Sequence, residues 1–133
     1  MQAAALIVVL AAGLWLGGIG VLMAARPGYC LALLERMTVS LEAGSWLLNL
    51  TEQGLRILAG AALVVRAPAS KLPLVFEVAG WALVLSSALI LILPMRWHAA
   101  YGRMLLKALG PVLVRLASPL PVLAGAGLIY AAL

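Results

Sequence analysis

Charged residues are scarce in this chain: only 10% of its 133 residues are Asp, Glu, Lys or Arg, whereas a soluble domain carries about a quarter. Hydrophobic residues make up 66% of the sequence, and its mean hydropathy is +1.19. Because so few polar side chains cannot cover a globule in water, the solvent must be lipid. The composition therefore excludes a soluble domain and predicts an all-α integral membrane protein.

Cysteine and histidine each occur once, which limits the chemistry open to the chain. Cys30 has no second cysteine, so an internal disulfide is excluded. His98 has no second metal ligand three or four residues away, so we predict no metal site. A glycine-rich phosphate loop after a strand and a serine nucleophile with a partner base are also missing, so we expect neither an enzyme nor a cofactor. Ligation of a haem or pigment by His98 alone stays open as an alternative.

Positive charge exceeds negative charge, and the formal net charge is +5. The basic residues flank apolar runs, a pattern typical of membrane topology and of contacts with anionic lipid headgroups. We therefore predict membrane lipids and other integral membrane proteins as partners, and no nucleic acid.

Four apolar segments predict four membrane-spanning helices. The first, residues 3–25, extends about 35 Å at ~1.5 Å per residue, enough to cross the ~30 Å hydrocarbon core. It is longer than the apolar part of a signal peptide and no Lys or Arg precedes it, so we expect it to be retained. The third, residues 72–93, has Pro73 in its first turn and is ended by Pro94.

The second predicted span is less apolar than the first and third, and the fourth is shorter than they are. Residues 57–65 reach a crossing length only when they are extended back to Trp46, which includes Asn49, Glu52 and Arg56. The fourth span, residues 116–133, contains Pro119 and Pro121. Local thinning of the bilayer or packing against neighbouring helices accommodates such spans.

An amphipathic segment follows the first span and another follows the third. In the first, an apolar stripe at helical spacing predicts one helix through Leu34, Met37, Leu41, Gly44 and Leu48. In the second, basic side chains lie beside aromatic ones: Arg96, Trp97, Tyr101, Arg103 and Lys107. Both patterns indicate helices in the headgroup region or at the cytoplasmic end of a long span, with a protein-docking surface as the alternative.

The sequence repeats itself. Residues 22–37 (LMAARPGYCLALLERM) and 89–104 (LILILPMRWHAAYGRM) share five residues at an offset of 67, and residues 55–63 (LRILAGAAL) and 120–128 (LPVLAGAGL) share six of nine at an offset of 65. We therefore predict two copies, 1–67 and 68–133, within one compact membrane domain, each made of a span, an amphipathic segment and a small-residue span. Because two crossings return each copy to its starting side, the copies would be parallel.

The distribution of Lys and Arg predicts the orientation. The segments after the first and third spans hold six of them, namely Arg26, Arg36, Arg96, Arg103, Lys107 and Arg115. The link between the second and third spans holds only Arg66 and Lys71. The positive-inside rule then places both amphipathic segments in the cytoplasm and both termini in the periplasm.

Small residues predict where the helices pack, because they let two backbones approach closely in lipid. The predicted packing residues lie in the first, second and fourth spans: Gly13, Gly17, Ala59, Gly60, Ala61, Ala124, Gly125 and Ala126.

Three ionisable residues fall inside the predicted spans. Glu52 and Arg56 are four residues apart, the spacing of an ion pair on one helix face. Glu77 lies about 7–9 Å into the third span and is expected to pair with Arg66 or Lys71. The alternative is a proton- or cation-coupling carboxylate, as in small four-helix exporters, but these have their essential glutamate in the first span, and residues 3–25 hold no acid.

The second half resembles the YjeT-like family, short two-span bacterial inner-membrane proteins classed as a domain of unknown function. The resemblance lies in Pro94-Met95-Arg96-Trp97, in Arg115, and in the terminal Gly125-Ala126-Gly127-Leu128-Ile129-Tyr130. The first half is similar more loosely, through Pro27 and Leu55-Arg56. The resemblance implies a multi-pass protein of the bacterial cytoplasmic membrane and brings no activity with it.

Together these features predict a non-enzymatic accessory or assembly subunit of a larger inner-membrane protein complex, packing laterally through small-residue helix faces. The alternative is a small oligomeric transporter or channel that uses Glu77, Glu52 and Arg56.

Overall fold

The computed structural model describes residues 1–133 and is built from helices, with no β-strand. Its α-helices are α1 (Gln2–Ala25), α2 (Pro27–Glu42), α3 (Trp46–Arg66), α4 (Pro73–Ile92), α5 (Met95–Ala108), α6 (Pro111–Ala117) and α7 (Pro119–Ala132). A short 3₁₀ turn, Ala67–Ala69, follows α3. The all-α class predicted from composition is confirmed.

Prolines set many of the helix boundaries. Pro27, Pro73, Pro111 and Pro119 are the first residues of α2, α4, α6 and α7. At that position the missing N–H costs nothing, because the first N–H groups of a helix have no partner within it. Pro94 separates α4 from α5. The predicted first and third spans therefore agree with α1 and α4 to within one residue at either end.

Three stretches of helix are long and apolar enough to cross a membrane: Gln2–Ala25, Pro73–Ile92 and Pro111–Ala132. Helix α3 has 21 residues and is about 31 Å long, yet it is not among them. Its first half contains Asn49, Glu52 and Arg56, which lower its hydropathy. The protein is thus a helical membrane protein with three apolar candidate spans.

The long helices pack in antiparallel pairs. Helix α1 lies along α7, with Gly13 against Gly125 and Gly20 against Ser118. Helix α3 lies along α4, with Gly60 against Gly80, and α1 also contacts α3. Helices α2 and α5 pack on each other. The largest contacts therefore join elements of the first half of the chain to elements of the second half.

Both chain termini lie at the same end of the bundle. The Gln2 side-chain amide donates to the Val65 carbonyl, 2.8 Å away. The Lys71 backbone N–H donates to the Ala131 carbonyl, also over 2.8 Å. The apolar core is at this end, where it gathers Ala5, Val9, Ala62, Leu63, Ala67, Phe76, Ala131 and Ala132. Helices α2 and α5 lie at the opposite end, which is called the loop end here.

The amphipathic helix predicted through Leu34 and Leu48 is wrong in its length. Helix α2 ends at Glu42, and α3 begins at Trp46. Gly44 has φ +83°, the left-handed conformation that glycine adopts without strain. Ser45 then caps α3, its hydroxyl accepting from the Leu48 N–H. Gly44 fits the spacing of the apolar stripe, but it is a turn residue. The predicted single helix is therefore two helices separated by a turn.

The predicted fourth span is longer than expected and is interrupted at Ser118. It begins at Pro111, not at residue 116, and consists of α6 and α7. Pro119 has no N–H to donate to the carbonyl of Arg115 four residues earlier. The Ser118 hydroxyl and backbone N–H bind that carbonyl instead, at 2.7 and 3.2 Å. Ser118 thus supplies the hydrogen bonds to the Arg115 carbonyl that Pro119 cannot make.

Candidate functional site

Two pairs of glycines set how closely the long helices approach. A Cβ added to Gly13 of α1 would stand 2.9 Å from the Gly125 carbonyl oxygen of α7. A Cβ added to Gly60 of α3 would stand 2.7 Å from the Gly80 carbonyl oxygen of α4. Such distances are shorter than van der Waals contact, so any larger residue would push the two backbones apart.

The structure divides the predicted packing residues into an internal and an external set. Gly13, Gly60 and Gly125 are buried, and the backbone of Gly17 also lies against Gly125. Ala59 is partly buried. The remaining three are exposed on the outside of the bundle: Ala61, Ala124 and Ala126. Half of the set therefore packs within the protein.

Gly80 and Gly20, which were not predicted as packing residues, take part in the same contacts. A Cβ at Gly20 would stand 2.8 Å from the Ser118 carbonyl oxygen. The repeat offset of 67 maps Gly13 onto Gly80, and the offset of 65 maps Gly60 onto Gly125. Applying the repeat to the glycines would therefore have identified Gly80.

The expected ion pair of Glu77 with Arg66 or Lys71 is not formed. Arg66 donates from Nε and Nη2 to the Ala132 carbonyl oxygen, at 3.1 and 2.8 Å. The Lys71 ammonium lies 4.0 Å from the centre of the Tyr130 ring. Both cations thus hold the C-terminal turn of α7, where helix carbonyls lack partners and cations are favoured. Glu77 is exposed on the outer side of α4.

The expected pair between Glu52 and Arg56 is not formed either. Glu52 turns toward helix α5, where its Oε2 lies 3.8 Å from Nε2 of His98. His98 Nδ1 is 3.1 Å from Oδ1 of the buried Asn49 and donates to it. Arg56 makes no ion pair and no side-chain hydrogen bond within the protein. A polar cluster of Asn49, Glu52 and His98 thus ties α3 to α5.

Gln53 and Ser87 are fully buried polar side chains that no sequence pattern predicted. Their accessibility is 0%, and the Gln53 amide and Ser87 hydroxyl have no hydrogen-bond partner. Gln53 is seven residues before Gly60 and Ser87 is seven residues after Gly80. The antiparallel register of the glycine contact therefore places them at the same level of α3 and α4.

A cavity of about 160 Å³ opens beside the polar cluster, at the loop end. Elements α2, α3, α4 and α5 all contribute to its wall. Its polar lining comes from Thr38, Glu52, Arg56, His98 and Tyr101. The cavity thus contains one carboxylate and one guanidinium that do not contact each other. Its volume is many times the roughly 10–15 Å³ that one water needs.

Helix α5 exposes the five side chains predicted to lie at the membrane interface. Arg96, Trp97, Tyr101, Arg103 and Lys107 are all solvent-accessible. Arg103 also forms an ion pair with Glu42 of α2. Arg115, predicted to mark the topology and part of the YjeT-like resemblance, donates from Nε to the Ala24 carbonyl in the last turn of α1, 3.1 Å away.

Comparison with protein-family models, with curated proteins and with solved structures finds no match to this chain. The resemblance to the YjeT-like family therefore stays a prediction.

Proposed function

We propose that this protein is a non-enzymatic accessory or assembly subunit of a larger membrane-protein complex, which it joins by lateral packing of helix α1. The observation that supports this proposal is the shape of the outer face of α1. Small residues recur there at every seventh position: Ala4, Ala11, Gly18 and Ala25, all exposed. Between them lie the exposed side chains of Ile7, Leu14 and Val21. A seven-residue spacing keeps such a face aligned along a partner helix.

The corresponding face of α4 has a different composition. The repeat offset of 67 maps Ala11, Gly18 and Ala25 onto Val78, Leu85 and Ile92. These three α4 side chains are 61%, 64% and 80% exposed. The two faces occupy equivalent positions in their repeats, but the α1 face has small side chains at these positions and the α4 face has large ones. Association in lipid depends on packing, so the α1 face admits a close helix where the α4 face suits lipid chains.

Gly18→Leu tests the proposal. No atom lies within 4 Å of a Cβ at Gly18, so the substitution fits the isolated protein. The added side chain would keep a partner helix at a greater distance. We expect a larger protein to co-purify with wild type at fixed stoichiometry in mild detergent, and its recovery to fall by at least about tenfold with the variant, the effect of a loss of about 1.4 kcal/mol.

Leu85→Ala is the matched control, because it changes the equivalent position on α4. Recovery of the partner should be unchanged by it. A wild-type protein that purifies alone, or a Gly18→Leu variant that retains its partner, would contradict the proposal.

A membrane topology with four crossings belongs to the same proposal, with α3 as the fourth span and both termini in the periplasm. Two equivalent glycine contacts, Gly13 with Gly125 and Gly60 with Gly80, support the parallel tandem repeat. The shared position of the termini supports an even number of crossings. Most Lys and Arg residues are in α2, α5 and α6, as a cytoplasmic loop end requires.

A reporter fused to the C-terminus tests this topology. A periplasmic reporter such as alkaline phosphatase should be active there, whereas a cytoplasmic reporter should be inactive. Activity of the cytoplasmic reporter alone would show that the proposed topology is wrong. The bacterial inner membrane itself is proposed from the YjeT-like resemblance and the basic loop end.

The alternative, a small oligomeric transporter or channel, requires Glu77, Glu52 and Arg56 along one polar path. The register of α3 and α4 puts Glu77 level with Leu63, about 10 Å along the axis from Arg56. Glu77 faces outward, whereas the other two line the cavity. A path through all three would need a second copy against α4. Flux in liposomes that Glu77→Gln abolishes would favour this alternative over the subunit proposal.

A further inference from the structure

The cavity at the loop end contains separated opposite charges. Glu52 and Arg56 both line it, and their spacing on α3 would allow them to pair. Glu52 is instead directed to His98, while the half-buried Arg56 has no partner in the protein. A charged group is costly to bury unless it is paired. An anion from outside the chain is therefore the expected partner of Arg56.

Charge in the wall also restricts the chemistry of the ligand. The Glu52 carboxylate would repel a ligand that carries only negative charge. A ligand with an ammonium group close to a phosphate would satisfy both side chains. The ammonium would lie at Glu52, and the phosphate would accept from the Arg56 guanidinium, a donor suited to two phosphate oxygens.

The position of the cavity indicates where such a ligand comes from. Amphipathic helices α2 and α5 form part of the wall, and α5 exposes Arg96, Trp97 and Lys107 nearby in sequence. Basic and aromatic side chains of this kind are typical of the headgroup layer. A pocket between helices at this level is within reach of lipid headgroups.

We propose that this cavity binds the headgroup of a zwitterionic phospholipid with a primary ammonium, such as phosphatidylethanolamine. Arg56 binds the phosphodiester and Glu52 binds the ammonium. The proposal does not depend on the partner-binding role of α1, because the two surfaces are separate.

Native mass spectrometry of the delipidated full-length protein, with lipid added back, tests the site. Wild type should bind phosphatidylethanolamine at least about tenfold more tightly than phosphatidylglycerol, which lacks the ammonium. Arg56→Gln should weaken phosphatidylethanolamine binding by about tenfold or more, since it removes a charge-assisted contact. Glu52→Gln should remove the preference between the two lipids. Arg26→Gln, an exposed arginine outside the cavity lining, should change neither affinity.

A soluble competitor and a charge-conserving variant distinguish a lipid site from a site for a small soluble ligand. Soluble phosphoethanolamine should compete only weakly, because it lacks the acyl chains whose burial contributes to lipid binding. Equal affinity for the soluble compound would overturn the assignment to a lipid. Arg56→Lys, which keeps the charge, should bind at an intermediate level. Equal binding of both lipids by wild type would overturn the proposal whether or not any variant folds. So would unchanged phosphatidylethanolamine binding in a folded Arg56→Gln protein.

Discussion

Single glycines control the distance between the long helices, and this is where the smallest substitution should have a large effect. At Gly60 an added Cβ would meet the backbone of α4, which cannot rotate away as a flexible side chain would. At Gly54, on the same helix, it would meet nothing within 4 Å. Comparing alanine substitutions at Gly60 and Gly54 therefore separates the effect of packing on stability from the higher helix propensity of alanine.

Gly60→Ala should therefore destabilise the protein, because overpacking costs about 1–3 kcal/mol and exceeds the gain of about 1 kcal/mol in helix propensity. Gly54→Ala should be neutral or stabilising. Thermal unfolding in detergent, followed by tryptophan fluorescence, measures both. Equal effects of the two substitutions would show that α3 and α4 do not approach at Gly60.

Gln53 presents the opposite situation, a buried amide with unsatisfied donors and acceptors. Leaving a buried polar group unpaired costs about 1–3 kcal/mol. Gln53→Met keeps the length of the side chain and removes those groups, so the variant should be at least as stable as wild type. Thermal unfolding of the Gln53→Met variant, with Ser87 unchanged, measures this difference in stability. A marked loss of stability would contradict the prediction and indicate a hydrogen bond between Gln53 and Ser87 in the membrane.

Residue roles that depend on one helix were predicted from the sequence, whereas most roles that depend on contacts between helices distant in sequence were not. Glu52 and Arg56 were paired on their spacing along α3, but the imidazole that competes for Glu52 comes from α5. The level position of Gln53 and Ser87 follows from the register of α3 against α4. Neither fact can be read from one helix alone. Gly13, Gly60 and Gly125 were predicted, because the close approach of two backbones needs residues without a side chain.

At the scale of helices, the two ends of α4 at Pro73 and Pro94 were predicted, whereas the end of α2 was not. Gly44 fitted the helical spacing of the apolar stripe, and only its φ of +83° identifies a turn. The start of the last span was predicted at residue 116, directly after Arg115, whereas α6 begins at Pro111. Local hydrogen bonding at Ser118 allows α6 and α7 to follow each other with little interruption.

Ser118→Ala should therefore destabilise this junction by about 1 kcal/mol, since the Arg115 carbonyl loses its hydroxyl donor. In a Pro119→Ala background the restored N–H can bind that carbonyl, so the same substitution should cost less. A double-mutant cycle on thermal unfolding measures the coupling. Additive effects would contradict the role assigned to the hydroxyl.

At the scale of the whole molecule, the two halves depend on each other. Helix α1 packs on α7, α3 on α4, and α2 on α5, so each of these contacts joins residues 1–67 to residues 68–133. Two fragments divided after Ala69 should therefore associate when they are expressed together. Co-purification through a tag on one fragment measures this, with Gly60→Leu and Gly125→Leu together as the variant expected to abolish it. Fragments that do not associate would contradict the arrangement of the repeats.

Labelling of introduced cysteines in spheroplasts tests the central claim, that α3 crosses the membrane and completes four spans. In a Cys30→Ala background, Ala43→Cys and Ala69→Cys place thiols at exposed positions next to the two ends of α3. A membrane-impermeant maleimide should label position 69 from outside, and position 43 only after the membrane is permeabilised. Labelling of both positions from the same side would show that α3 does not cross, and the parallel four-span arrangement would be wrong.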